Sequence, residues 1–283
     1  MGDGKRMNDT PYVLAALDMD GTLLGTNHET TPYTRQVLTR AAEAGKVIAL
    51  CTGRCLSELW AHFEAIPAIR FAICESGGCL YDAWEKRILR QLHIPADLAL
   101  HILDIAREYD VCVQCFLDGQ SYMQLDELET LRRYHIFDFK SVFETGSVLI
   151  KDMHAMLSKK RGMEKINLYF TSEADKKRFG RELAILDVFA ADSLSYGFEL
   201  SPPEASKSKG LEALCRHLGI PLSRTVAVGD GGNDLDLMEA AGFSVAMGNA
   251  EDDVRAVADA TTEDNDHDGA ARAVARYLLG EEP

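Results

Sequence analysis

No stretch of this chain approaches the roughly 18 uninterrupted apolar residues of a membrane-spanning helix. The opening MGDGKRMNDT has no hydrophobic segment of the kind that directs secretion. These absences predict a cytoplasmic protein without helical membrane spans, and Arg6 stands where a myristoylation signal would need Ser or Thr. Basic residues are also in short supply. Thirty Lys and Arg against 45 Asp and Glu leave a formal charge of −15, which argues against nucleic acid or an anionic membrane as partner, since either demands a basic face. A disulfide framework is missing too, because seven cysteines, an odd number scattered through apolar runs, suit a reducing compartment. Cys112-Val113-Gln114-Cys115 has redox or zinc spacing, yet it lies in a strand-like run where residues three apart face opposite sides, so a structural role is expected. His93, His101 and His135 occur singly, without the spacing of metal ligands, and no internal repeat or low-complexity tract is present.

What the chain does contain is a pair of aspartates, Asp18 and Asp20, between the apolar run Val13–Leu17 and Gly21-Thr22-Leu23-Leu24. A run of small aliphatic residues reads as a strand covered on both faces, and open α/β sheets bind ligands beyond the carboxyl ends of such strands. Two like charges there repel unless a cation joins them or one carboxyl keeps its proton, and either state is useful in catalysis. The same design recurs at Gly229-Asp230-Gly231-Gly232-Asn233-Asp234, directly after the strand-like Thr225–Val228. Glycines allow close backbone approach, while Asp230 and Asp234 offer the hard oxygen ligands that Mg²⁺ prefers. The ligand spacing and closing Glu of an EF-hand are missing, so this is no calcium loop of that kind.

Two smaller signals lie between these clusters. Thr52-Gly53-Arg54 follows the apolar run Val47–Cys51 and places a hydroxyl, a backbone amide and a guanidinium at a third strand end, groups that suit a phosphate. Lys209-Gly210 opens the helical pattern Leu211, Leu214, Cys215, Leu218, where an ammonium could reach an anion in the same pocket. An acidic protein that admits a phosphate must reverse its sign locally, which a bound cation together with Arg54 and Lys209 would do.

The 283 residues, 46% hydrophobic and 27% charged, are ordinary for a globular protein with one large core or two modest ones. The middle of the chain changes character. Val111–Leu117, then Asp118-Gly119, then Gln120–Leu125 reads as a β-hairpin, because Asp-Gly favours the turn whose twist matches paired strands. Leu98, Ile102, Ile105 and Ala106 recur at helical spacing before it. A strand at 166–170, a helix at 173–186 and strands at 187–191 and 194–200 follow, and Ser201-Pro202-Pro203 makes a hinge back to the core. Lys159-Lys160-Arg161 and Lys176-Lys177-Arg178 read as solvated faces, and Glu263–Asp268 as the loop and N-cap of the last helix. The expected fold class is α/β, a doubly wound, mostly parallel Rossmann-like core sheet with an inserted α+β cap: core 1–82, cap 83–200, core 201–283.

In order, DMDGTL, TGR, the SKG segment and GDGGND resemble the four motifs of the haloacid dehalogenase superfamily, specifically its Cof-type phosphatases. The likeness covers residues 11–80 and 204–280; between 83 and 200 only length and general pattern agree. One departure is the segment Glu75-Ser76-Gly77-Gly78-Cys79, where these proteins often carry Asn-Gly-Ala. The resemblance implies a phosphatase acting on a small phosphomonoester such as a sugar phosphate, a nucleotide or a phosphorylated cofactor precursor. It implies Asp18 as nucleophile, forming an aspartyl-phosphate, and Asp20 as general acid and base. It further implies Mg²⁺ held by the Asp18 carboxylate, the Asp20 carbonyl and Asp230, with Asp234 orienting metal-bound water. Thr52, Lys209 and Asn233 would hold the phosphoryl oxygens, assisted by Arg54 and the Gly53 amide, and the cap would close over the pocket and read the rest of the substrate. A phosphomutase of the same superfamily and a non-catalytic phosphometabolite-binding regulator are the alternatives. The expected partner is a small phosphorylated metabolite, and the expected state a monomer or homodimer.

Overall fold

The structure, a computed structural model, describes residues 11–158, 162–193 and 196–281. Contacts divide the chain into two units: Met1–Gly53, Trp60–Leu89 and Ser206–Pro283 form the first, Arg54–Leu59 and Arg90–Ala205 the second. Set beside the predicted 83–200, the insertion begins later, because Arg87–Gln91 completes a hairpin on the core sheet before the chain departs. It ends at Ala205, just past the predicted hinge, and it takes Arg54–Leu59 as well.

The first unit is built on an eight-stranded sheet in the order Ala260–Thr261, Phe243–Ala246, Thr225–Gly229, Leu14–Leu17, Val47–Cys51, Ile69–Cys74, Cys79–Asp82, Arg87–Gln91. The first six strands run parallel and the seventh turns back antiparallel. Leu14–Leu17 lies at the centre with all four side chains buried, as expected of a strand covered on both faces. Its two neighbours pair with it in step, Leu17 opposite Val228 on one side and Leu50 on the other. The residues that follow these three strands, Asp18, Asp230 and Thr52, therefore emerge at one carboxyl edge. The helix Pro32–Glu43 starts on a Thr31 cap with proline in its first turn and buries Thr34, Val37, Leu38 and Ala41, a stripe at helical spacing. It packs against the last helix, Gly269–Leu279. Helix Lys207–Leu218 starts on a Ser206 cap and ends on Gly219 in the left-handed conformation.

The second unit is a six-stranded sheet ordered Phe189–Ser193, Gly197–Ser201, Lys165–Phe170, Val111–Leu117, Gln120–Gln124, Ser147–Ile150. All its pairs are antiparallel except Gln120–Gln124 with Ser147–Ile150. The hairpin turns at Asp118 and Gly119, both with positive φ (54° and 70°), the conformation that Asp-Gly supplies. Cys112 and Cys115 face opposite sides. Cys115 packs with Ile166, Leu168 and Phe179, whereas Cys112 packs with Met123, Tyr134 and Tyr169, so the pair holds two cores rather than one metal. Helices span Ala96–Ala106 and Glu173–Leu183, the second shorter than the predicted 173–186. The last two strands sit two to three residues later than predicted at their starts. In the 176–178 run, Lys177 pairs with Glu173, Lys176 with Asp192, and Arg178 lies over the Tyr109 ring. Lys159-Lys160-Arg161 falls outside the described residues. Among the described residues no helix is long and apolar enough to cross a membrane.

Candidate active site

Asp18 leaves its strand with its backbone N–H on the Val228 carbonyl at 3.0 Å, so the sheet register itself places the carboxylate. The side chain is buried, and its Oδ1 accepts from the Lys207 ammonium at 2.7 Å. The same ammonium donates to Asp234 Oδ1 at 2.6 Å. Asp234 Oδ2 accepts from the backbone N–H groups of Asp230 and Gly231 at 3.1 and 3.2 Å, which closes the turn after Thr225–Gly229. Asp230 is held from the opposite side by the Thr22 hydroxyl, which donates to its Oδ1 at 2.6 Å. Carboxylate oxygens of Asp18, Asp230 and Asp234 all lie within 4.8 Å of one another. Gly21 makes this approach possible: its φ is +80°, and a Cβ there would stand 2.3 Å from Asp230 Oδ2.

The lysine at the carboxylates is Lys207, not the predicted Lys209. Residues two apart on an α-helix point roughly 200° apart, so the first turn can aim only one of the two at Asp18. Lys207 shares the buried stripe with Gly210, Leu211 and Leu214, while Lys209, partly exposed, gives its backbone N–H to the Ser206 cap. Carrying the period of Leu211, Leu214 and Leu218 one turn back would have landed on 207, the signal that points to the right residue.

The other predicted groups divide. Thr52 is buried, its N–H on the Ile73 carbonyl at 2.8 Å and its carbonyl taking the Ser76 N–H at 3.1 Å. The 75–78 segment therefore braces the Thr52 strand end. Asp20 is half-exposed, 3.9 Å from His28 Nδ1. Asn233 is exposed in the turn that precedes Asp234. Gly53 closes the first part of the first unit, whereas Arg54 opens the short stretch counted with the second. Thr22 and Lys207 are the residues that the motif reading passed over.

Gly77 carries the brace to Lys207. Its φ is +97°, and a Cβ would stand 1.9 Å from the Ser206 carbonyl oxygen, on the residue that caps the Lys207 helix. Gly77→Ala is therefore expected to lower stability by about 2 kcal/mol or more, checked by denaturant unfolding; a neutral result would contradict this packing.

Burial pushes the Asp18 carboxyl up to about 8, with the Asp234 charge adding to the rise and Lys207 opposing it. Burial likewise raises Asp230 to about 6. Burial alone would favour a neutral Lys207, but Asp18 and Asp234 outweigh it and hold the ammonium protonated, its pKa well above the ordinary value. Three carboxyl groups face one ammonium here, and once Asp18 and Asp230 lose their protons the charge of Lys207 does not balance the cluster. A hard divalent cation with oxygen ligands matches that deficit in sign, size and donor type.

A family model described as haloacid dehalogenase-like hydrolase matches residues 15–274. The chain is 29% identical to the phosphatase YwpJ of Bacillus subtilis, over 94% of this chain and 99% of that one. It is 27% identical to the pyridoxal phosphate phosphatase YbhA of Escherichia coli, over 93% and 98%. Among solved structures, a haloacid dehalogenase-like hydrolase from B. subtilis superposes with a TM-score of 0.80 at 28% identity, over 93% and 98%. Another from Bacteroides thetaiotaomicron superposes at 0.82 and 24%, over 94% and 99%. With three aspartates gathered at the carboxyl edge of a parallel sheet and the family match spanning nearly its whole length, the chain belongs to the haloacid dehalogenase-like hydrolases, as an enzyme of the same kind as these phosphatases.

Proposed function

We propose that this enzyme hydrolyses a small phosphomonoester with Mg²⁺ as cofactor and Asp18 as the nucleophile. The observation that carries the reading is the cluster of buried Asp18 and Asp234 with part-buried Asp230, the Lys207 ammonium bonded to the first two. A carboxylate oxygen of Asp18 would attack phosphorus as the ester P–O bond breaks, and the departing oxygen would take a proton from Asp20. Asp20 would then accept a proton from water as that water attacks phosphorus, breaking the bond to Asp18 and releasing phosphate. The Thr52 hydroxyl, the Gly53 amide and Asn233 would hold the phosphoryl oxygens. Lys207 keeps Asp18 and Asp234 apart in charge and fixed in place. Mg²⁺, held by Asp18, Asp230 and the Asp20 carbonyl with Asp234 behind them, would offset repulsion between an attacking carboxylate and an anionic phosphate. The named activities of the relatives, pyridoxal phosphate among their substrates, support a small phosphorylated metabolite as the class. A panel of phosphorylated sugars, nucleotides and cofactor precursors with Mg²⁺ or a chelator tests the reading: metal-dependent phosphate release supports it, and an inert protein contradicts it.

Linkage supplies a second check. Asp18 and Asp230 have raised pKa values, so without metal the folded state keeps protons that the unfolded chain has lost. Their favourable contribution is complete below about 4 and drains away as pH rises through about 6 for Asp230 and about 8 for Asp18. Mg²⁺ must displace those protons, so it should raise the unfolding temperature more at the alkaline end of that window than at the acid end. Thermal scans with Mg²⁺ and with chelator across the window read the difference. Stabilisation that does not grow with pH would contradict the proposed ligands.

A further inference from the structure

The sequence motifs leave unused the turn Met247–Glu251 and the acidic stretch 263–268, and the structure ties both to the loops that bear the aspartates. Met247 donates its N–H to the Gly229 carbonyl at 3.0 Å, and Glu251 its N–H to the Asp230 carbonyl at 2.9 Å. Glu251 Oε2 accepts from the Gly232 N–H at 3.1 Å. The turn is thus fastened along the second acidic loop. Asn249 at its apex reaches across to the first: its Nδ2 donates to the Gly21 carbonyl at 2.8 Å, while its Oδ1 accepts the Asn265 N–H at 3.1 Å. Those partners settle which way the carboxamide points, since a flipped amide would set donor against donor and acceptor against acceptor. Asn265 Nδ2 in turn donates to the Leu24 carbonyl at 2.9 Å. Thr26 gives its N–H to Asp266 at 2.8 Å, and the Thr31 and Thr34 hydroxyls both donate to Asp268 Oδ1. The acidic stretch leads into the last helix with Asp268 at its N-cap position, as expected from sequence, but the Asp268 side chain makes no capping bond and instead grips the segment that follows the first aspartate pair.

We propose that Asn249, with Asn265 behind it, is a positioning residue that sets the place of Asp20 relative to Asp18 and Asp230. The proposal rests on the phosphatase reading above. The turn from Asp20 to Leu24 has its own bonds, Thr22 and Leu24 N–H groups both on the Met19 carbonyl, but these lie at its base. The carbonyls that the two asparagines hold are those of Gly21, the residue after Asp20, and of Leu24, which bridges back to Asp20. Asn249 is exposed, so water can satisfy the Gly21 carbonyl when the side chain is removed; the Thr22–Asp230 bond still joins the two loops, and what is lost is the second tie, the one on the residue next to Asp20. Displacement of a proton donor matters in proportion to how much the leaving oxygen needs its proton.

The test compares kcat/KM for an alkyl phosphate, whose alkoxide must be protonated to leave, with that for 2,4-dinitrophenyl phosphate, whose phenolate leaves unaided. Measured for Asn249→Ala and Asn249→Asp with Mg²⁺, the alkyl ester should lose roughly 10- to 100-fold and the dinitrophenyl ester little, a selective loss expected of a misplaced general acid. The aspartate variant keeps the side-chain shape and the acceptor for Asn265 but cannot donate to Gly21, so it isolates that one bond; thermal midpoints near the wild type confirm folding. Equal losses on both esters, or none on either, would overturn the positioning role while leaving the phosphatase reading in place. A wild-type protein inert towards both esters would instead overturn the reading on which the proposal rests.

Discussion

Asp18→Asn should turn over phosphomonoesters about 10⁴-fold more slowly, or not measurably, while its resistance to denaturant stays within about 1 kcal/mol of the wild type. The first half follows from chemistry: a carboxamide oxygen does not displace an alkoxide from phosphorus to give a stable intermediate. The second follows from the environment. Burial and the Asp234 charge already press Asp18 towards its neutral form, and asparagine has that form's shape and charge while its Oδ1 can still accept from Lys207. Phosphate release and urea unfolding read the two halves independently. Substantial turnover by the folded variant would remove Asp18 from the role of nucleophile.

Lys207→Met should be the more damaging to the fold. The ammonium is almost wholly buried between two buried carboxylates, and removing one partner of such a group costs about 3–5 kcal/mol because the charges left behind have no solvent to turn to. Without the ammonium that opposes the rise, Asp18 would hold its proton more tightly, so the loss should grow with pH and be partly recovered by a divalent cation. Activity should fall by at least about 100-fold, since the nucleophile then loses both its fixed position and its ionised form. Lys209→Met, on the opposite side of the same helical turn, should cost less than about 1 kcal/mol and keep most of the activity. Urea unfolding of the two variants in chelator, at both ends of the pH window, decides between the lysines. A silent Lys207→Met beside a crippling Lys209→Met would restore the assignment made from sequence.

Much of this architecture could be read from residues because local and global signals coincide. Leu14-Ala15-Ala16-Leu17 is small and aliphatic throughout, and it forms the fully buried central strand. Asp118-Gly119 adopts the turn its composition favours, and the three-residue spacing of Cys112 and Cys115 sends them to different cores. Aspartates after strands announced a cluster, and three of the four are gathered within ligand distance. What stayed hidden depends on partners distant in sequence. A motif read as a string picks the lysine beside a glycine, whereas helical phase selects Lys207, and buried anions 189 and 27 residues away make that burial tolerable. Residues 83–86, where the sequence reading starts the cap, form a hairpin turn, with Lys86 at φ 49°, whose second strand extends the core sheet. Nothing in the string shows that the side chains of the late acidic stretch hydrogen-bond to Thr26, Thr31 and Thr34 while Asp268 stands at the N-cap position of the last helix.

The most direct trial is to acid-quench the enzyme during turnover of a phosphomonoester with Mg²⁺ and to map added phosphoryl mass by peptide sequencing in a mass spectrometer. One phosphoryl group on Asp18, forming and decaying at rates compatible with turnover and missing from Asp18→Asn, is the predicted result. Steady release of phosphate with Asp18 never modified, or with the phosphoryl group on another residue, would contradict the mechanism.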